Sequence, residues 1–192
     1  MRIERRRVAL PLKYHAERMN RTRREVFACP QMLDLAEALH IPDHLDDGIY
    51  KCRITYNADI QCIEFEPYNI RPVRSLQLII DDTLDYHYKW HDRSRLHAHV
   101  AATDADDVLI VQNGYLTDTS YANIAFLEAD RWLTPAAPLL AGTRRQFLLD
   151  AGVLQPAPLR PEDLPRFQYV RLLNAMLPWP LSPLIEVAHI RF

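Results

Sequence analysis

Lysine is nearly missing from this sequence. Lys13, Lys51 and Lys89 are the only three, against 20 arginines, so a lysine is an unusual choice wherever positive charge alone would serve. Glycine is almost as scarce, with Gly48, Gly114, Gly142 and Gly152 the complete set. Cysteine occurs three times, as Cys29, Cys52 and Cys62. An odd number at scattered spacing argues against a disulfide framework and for reduced thiols in a cytoplasmic protein. Cys52 and Cys62 fall in strand-like segments and read as small core residues. No apolar stretch reaches membrane-spanning length before Pro, Arg or Asp interrupts it. The basic start, Met1 to Val8, has no apolar segment behind it, which speaks against a secretory signal. A basic tail, a low-complexity tract and a clear repeat are absent too. A net charge of −2 and a pI near 6.4 give no reason to invoke a nucleic-acid or membrane partner. No GxSxG elbow occurs, which removes the local signature of a nucleophilic hydrolase.

What is present is the composition of a soluble globular protein, 48% apolar and 25% charged. A length of 192 residues fits one ordinary domain or two small ones. Residues 3–12 read as extended, 15–27 as a helix with a charged outer face, and 31–39 as a second short helix. The polar segment HIPDHLDDG is a loop broken by Pro and Gly. YKCRITYN and IQCIEFEPY, rich in Ile, Tyr, Phe and Thr and joined through Ala58-Asp59, predict a β-hairpin. RSLQLIID predicts a third strand, so residues 1–85 read as an α+β unit with an antiparallel sheet. Residues 86–192 read differently: a helix over 92–102, strands at DDVLIVQ, TSYANIAFLE and DRWLTP, an Asn-Gly turn, and a helix GTRRQFLLDAG closed by Gly152. FQYVRLLNAM is a strand running into a loop, and LIEVAHIRF a last strand.

Four features bear on chemistry. The histidine pairs His87/His91 and His40/His44 have the i, i+4 spacing of zinc ligands, but neither carries the Glu of an HExxH motif, and Pro42 interrupts the second. They read as solvated or hydrogen-bonded histidines. Lys89, in DYHYKWHDRSRL, lies between Tyr88 and Trp90 at an element end. Partial desolvation there would lower its pKa and favour the neutral amine that carbonyl chemistry needs; the alternative is a surface lysine. In PLLAGTRRQFLL, Gly142 allows close backbone approach and Thr143 starts a helix whose N–H groups can hold phosphate; the alternative is a plain helix start. Asp118, in NGYLTDTSYANIAF, is either a carboxylate for a pyridine nitrogen or the cap of a turn.

Taken in order, these segments resemble the class IV aminotransferases, the fold-type IV pyridoxal-phosphate enzymes that include branched-chain and D-amino-acid aminotransferases and 4-amino-4-deoxychorismate lyase. YHAERMNRT is similar to the family's H-x-x-R helix, which implies that Arg18, with His15 ahead of it, holds the cofactor phosphate. YKWHDR is similar to the segment with the cofactor-binding lysine, which implies Lys89. NGYLTDTSYANI resembles the family's acidic segment, with Asp118 where the family usually has Glu. LLAGTRR resembles the phosphate loop, mapping to Gly142, Thr143 and Arg144, and LLNAM a further phosphate-side loop, mapping to Asn174 and Ala175. The family's opening strands are missing or abbreviated before residue 3.

The resemblance implies an α+β chain of two small sub-domains with the D-amino-acid aminotransferase-like fold, residues 1–85 and 86–192. It implies pyridoxal 5′-phosphate as cofactor, a small amino substrate and a homodimer. Lys89 and Asp118 are the implied catalytic pair. The implied reaction is transfer of an amino group between an amino acid and a 2-oxo acid. Elimination from 4-amino-4-deoxychorismate, giving 4-aminobenzoate and pyruvate, is the alternative within the family, and a cofactor-binding protein with little turnover the alternative outside it.

Overall fold

Two short strands open the chain, β1 (Arg2–Glu4) and β2 (Arg7–Val8), joined by a turn in which Arg5 and Arg6 take positive φ of 48° and 57°. The helix α1 (Leu12–Phe27) follows and ends at Ala28 in the left-handed region. Its buried face includes Asn20 and Arg23 as well as Tyr14 and Met19. Those polar groups tie down neighbouring chain. Asn20 exchanges two hydrogen bonds with the Leu33 backbone, and Arg23 donates to the carbonyls of Gln31 and Ala58. Residues 31–33 are thereby held out of the helix expected there. The second helix, α2, is only Leu35–Ala38, started by the Asp34 carboxylate accepting from Ala36 N.

The expected hairpin forms as β3 (Ile49–Tyr56) and β4 (Ile60–Pro67). With β1 and β2 it makes a four-stranded sheet in the order β2-β1-β3-β4. Cys52 sits in the core and burial pushes its thiol up, whereas Cys62 lies exposed on the edge strand, contrary to the core placement expected for it. These elements make up one compact unit, Met1–Ile70, within a computed structural model that describes residues 1–192.

The second unit is Arg71–Phe192. It starts well ahead of the boundary expected at 85/86, because of how the third strand pairs. β5 (Leu76–Ile80) lies parallel to β6 (Asp107–Gln112), with Leu76 opposite Asp107 and Ile80 opposite Val111. It takes no part in the sheet of the hairpin. Parallel neighbours cannot be joined by a tight turn. The connection therefore crosses over through an irregular loop bearing Lys89 and the helix α3 (Ser94–Ala101). After β6 the chain reverses at Asn113-Gly114, both at positive φ as a two-residue hairpin turn requires.

Strands β7 (Tyr115–Thr119), β8 (Asn123–Glu128) and β9 (Arg131–Pro135) continue antiparallel. The helix α4 (Thr143–Asp150) leads to β10 (Gln155–Ala157), parallel to β9. β11 (Tyr169–Leu173) pairs with β8. The C-terminal stretch, expected as one strand, forms two: β12 (Leu184–Glu186) on β11 and β13 (Ile190–Arg191) beside β5. The nine strands from β5 onward form one sheet. The chain thus has the mixed α and β architecture expected, and no helix is long and apolar enough to cross a membrane.

One apolar core carries the parts that matter below. Leu96 of α3 packs with Val108 and Ile110 of β6, with Leu84 and Tyr86 ahead of Lys89, and with Leu139 and Leu140 ahead of Gly142. Full burial of a side chain such as Leu96 contributes about 1.5–3 kcal/mol. A polar anchor reinforces it. The buried Asp81 carboxylate accepts from Arg95 at 2.7 Å and from Thr83, and lies 2.7 Å from His99 Nε2. Burial alone would raise its pKa, but the bonds from His99 and Thr83 and the charge of Arg95 hold it below the ordinary carboxylate range. A depressed pKa means stability present near neutral pH and lost as pH falls through the folded value. Asp81→Ala is expected to cost about 1–3 kcal/mol at pH 7 and less at pH 3, measured by urea unfolding at both pH values.

Candidate active site

Asp118 is placed by β7, whose alternation turns Leu116 and Asp118 to one face. It is only 4% exposed. One carboxylate oxygen accepts from Asn123 Nδ2 at 2.7 Å and the other from the Leu140 backbone N–H at 2.9 Å. The same Asn123 amide donates to the Leu140 carbonyl at 2.8 Å. Desolvation drives the Asp118 carboxyl up to about 7, against the opposing pull of Leu140 N–H, Asn123, and the charges of Arg145 and Lys89. The acid is thus poised between its two charge states near neutral pH, and Lys89 stands close enough to act on it electrostatically.

Gly142 is bound to the same assembly by shape. A Cβ there would lie 1.8 Å from Asn123 Oδ1, closer than any real contact. Only glycine lets the chain pass Asn123 and enter α4. The ladder of α4 begins with Gln146 N donating to Gly142 O, and no side chain caps the helix from Gly142. The N–H groups of its first turn lie outside the helix's own ladder, which is the geometry in which helix starts bind anions. Thr143 is buried at that start.

Lys89 is exposed, which matches the surface-lysine alternative and not desolvation between Tyr88 and Trp90. Tyr88 and Trp90 pack edge-on against each other with ring centroids 5.5 Å apart. The ring that meets the amine is Tyr86, with Nζ 5.7 Å from its centroid. Asn174 and Ala175 occupy the turn after β11. The Asn174 side chain accepts from Met176 N at 2.8 Å and reaches the Tyr121 carbonyl at 3.5 Å, so this turn lies beside the one between β7 and β8. Lys89, Asp118, Gly142, Thr143, Asn174 and Ala175 all belong to the second unit. Arg18 belongs to the first, half-buried on α1 one turn after the buried His15.

Several residues of this assembly were not singled out from sequence. Asn123 and the Leu140 backbone fix Asp118. Arg145, buried and donating to Thr134 Oγ1 and the Pro135 carbonyl, places a positive charge near it. Arg93, four residues beyond Lys89, donates to the Ser120 carbonyl at 2.6 Å. Of these, only Asn123 carries a sequence signal, as the polar residue that opens the apolar run Ile124–Leu127, whereas Arg145 stands among the polar residues Thr143 to Gln146 and is not distinguished from them.

The sequence profile of the amino-transferase class IV family matches residues 1–182. An uncharacterised protein of Haemophilus influenzae is 33% identical over 168 residues, 86% of this chain and 89% of that one. A solved structure from Haemophilus somnus, provisionally assigned as a 4-amino-4-deoxychorismate lyase, superposes with a TM-score of 0.78 at 30% identity, covering 86% of this chain and 88% of the other. A hypothetical aminotransferase from Mycobacterium tuberculosis in its PLP-bound form superposes at 0.69 and 16% identity, covering 92% and 75%, which shows the shared fold.

Two outcomes test the geometry. Gly142→Ala forces Asn123 from its place and is expected to cost about 1–3 kcal/mol, read as a lower midpoint in thermal melts. For Asp118 the folded pKa lies above the unfolded one, so its contribution is full below about pH 4 and lost as pH rises through about 7. The stability of the cofactor-free protein relative to Asp118→Asn should fall across that window in urea titrations at fixed pH, and a flat difference would rule out the poised acid.

Proposed function

The chain belongs to the class IV aminotransferase family, whose enzymes depend on pyridoxal 5′-phosphate, and from that premise we propose that it catalyses elimination from 4-amino-4-deoxychorismate, with Lys89 as the proton carrier. The family's cofactor fits the residues present. A buried carboxyl raised to about 7 suits a pyridine nitrogen, which can share its proton. The uncapped start of α4 suits a phosphate. When bound, the cofactor supplies an electron sink for the carbon that bears the amino group.

The chain's own residues have the following roles in this reading. Lys89 would hold the cofactor through Nζ and, when free, would take the proton from the amino-bearing carbon of the substrate. Loss of that proton would break the bond between the neighbouring ring carbon and the ether oxygen of the three-carbon group, and Lys89 would return the proton to that group's methylene carbon, so that 4-aminobenzoate and pyruvate together contain every atom of the substrate. Asp118 would hold the pyridine nitrogen together with its proton. Thr143 and the backbone at Gly142 and Arg144 would hold the phosphate, with Asn174 and Ala175 beside it, and Arg18 is the phosphate ligand that the family resemblance proposes from the first unit. The observation that carries the reading is the buried Asp118 acid, bound through Asn123 and the Leu140 N–H beside the uncapped start of α4. The Haemophilus somnus relative favours elimination over transfer. Amino-group transfer is the second reading; it is the reaction for which the family is named, and it begins with the same proton removal. A homodimer belongs to the same proposal.

Added pyridoxal phosphate is expected to colour the protein, and borohydride to fix the cofactor on the peptide containing Lys89, as seen by mass spectrometry. Lys89→Ala should stay colourless. Wild-type protein that takes up no cofactor would sink the reading. With loaded enzyme, release of pyruvate from aminodeoxychorismate, against keto-acid-dependent loss of an amino acid, separates elimination from transfer.

A further inference from the structure

A cavity of about 380 Å³ opens in the second unit where α3 meets the turn between β7 and β8. Arg71, Arg93, His97, Val100, Ser120 and Tyr121 line it, and the proposed reaction uses none of them. Two guanidinium groups face it. Arg71 donates to the Asp106 carbonyl at 3.0 Å, lies 3.5 Å from the Asp107 carboxylate, and sits over the Tyr121 ring, 5.5 Å from its centroid. Arg93 gives one N–H to the Ser120 carbonyl at 2.6 Å, which fixes its guanidinium at the cavity wall.

The charge balance narrows the acceptor. Asp107 lies 3.5 Å from Arg71, whereas the Arg93 guanidinium is met by a neutral carbonyl and by no carboxylate, so its charge faces the cavity without an anion. A planar fork with one surplus charge matches a carboxylate, which takes parallel N–H bonds in its own plane. A phosphate would bring up to two negative charges against that one. The remaining walls are the Tyr121 ring and the alkyl groups of Val100 and Ala101, suited to the face of a ring. The volume lies at the small end of ligand pockets, about 300–1,000 Å³, and suits a single ring.

We infer that this cavity is a subsite for the carboxylate of a single-ring aromatic acid, with Arg93 and Arg71 as its ligands. The site joins the two segments of the proposed reaction, since Ser120 lies two residues past Asp118 and Arg93 four past Lys89. Its place in catalysis rests on the function proposed above: there it holds the ring acid of substrate and product and sets specificity.

Benzoate is the probe, with acetate as control, titrated into the full chain loaded with pyridoxal phosphate and followed by NMR. Benzoate should saturate, acetate should bind at least tenfold more weakly, and Arg71→Gln and Arg93→Gln should each weaken benzoate tenfold or more. The Arg71 side chain is 55% exposed, so Arg71→Gln keeps the test open if Arg93→Gln unfolds in thermal melts. Benzoate binding unchanged in Arg71→Gln, or matched by acetate, overturns the subsite. Cofactor uptake without benzoate binding overturns the subsite and leaves the Lys89 reading standing. Benzoate binding sensitive to Arg71→Gln in a protein that takes up no cofactor supports the subsite and removes the Lys89 reading instead.

Discussion

The Asp118 carboxylate, held between the Asn123 amide and the Leu140 N–H, is the interaction on which the second unit's geometry depends. It joins β7 to β8 at Asp118 and Asn123, the one residue pair in register between those strands, and both to the segment entering α4. A carboxylate this buried is tolerable only with donors on both oxygens. Once Asn123 is committed to it, the chain at residue 142 has no space for a side chain. The position of the helix start and the position of the acid are thus one constraint.

The lysine reaches this assembly by topology. Because β5 and β6 are parallel, the chain between them must travel the length of the sheet, and its loop emerges at the end of β5. Leu84 and Tyr86 sink into the same core as Leu139 and Leu140. The segment before Lys89 and the segment before Gly142 are therefore packed against each other through α3 and β6. Asp81, with Arg95 and His99, fixes α3 to the start of that loop. The exposed amine stands on a well-anchored base.

Local chemistry was legible in the sequence where it is decided locally. The Asn113-Gly114 turn, the hairpin around Ala58-Asp59 and the helix from Gly142 to Gly152 each follow from residues a few positions apart. The parallel pairing of β5 was not, because RSLQLIID alternates in the same way whether its partner lies before or after it in the chain. That choice moved the unit boundary to Ile70. The short α2 was also hidden, since Asn20 and Arg23 hold residues 31–33 from a distant helix. At the candidate site the order of motifs gave Lys89, Asp118 and Gly142, but the ring beside Lys89 is Tyr86, three residues back, because an irregular loop does not obey sequence adjacency.

The family resemblance puts a glutamate where this chain has Asp118, one methylene shorter, and the surroundings show what the shorter side chain gains. Its carboxylate is tied to its own chain at both oxygens, through donors at fixed distances of 2.7 and 2.9 Å. A longer side chain would carry the acid further from β7 and out of reach of those donors without a backbone shift. Two opposing effects then set its charge. Burial favours the proton, whereas Leu140 N–H, Asn123, Arg145 and Lys89 favour its loss, and the outcome lies near neutrality. An acid balanced in this way responds to any base brought against it, since a hydrogen-bonding nitrogen at the carboxyl relieves the desolvation that dominates its pKa. The reach lost with the methylene is thus exchanged for a rigidly placed acid whose charge state is set by the balance of burial against its fixed donors.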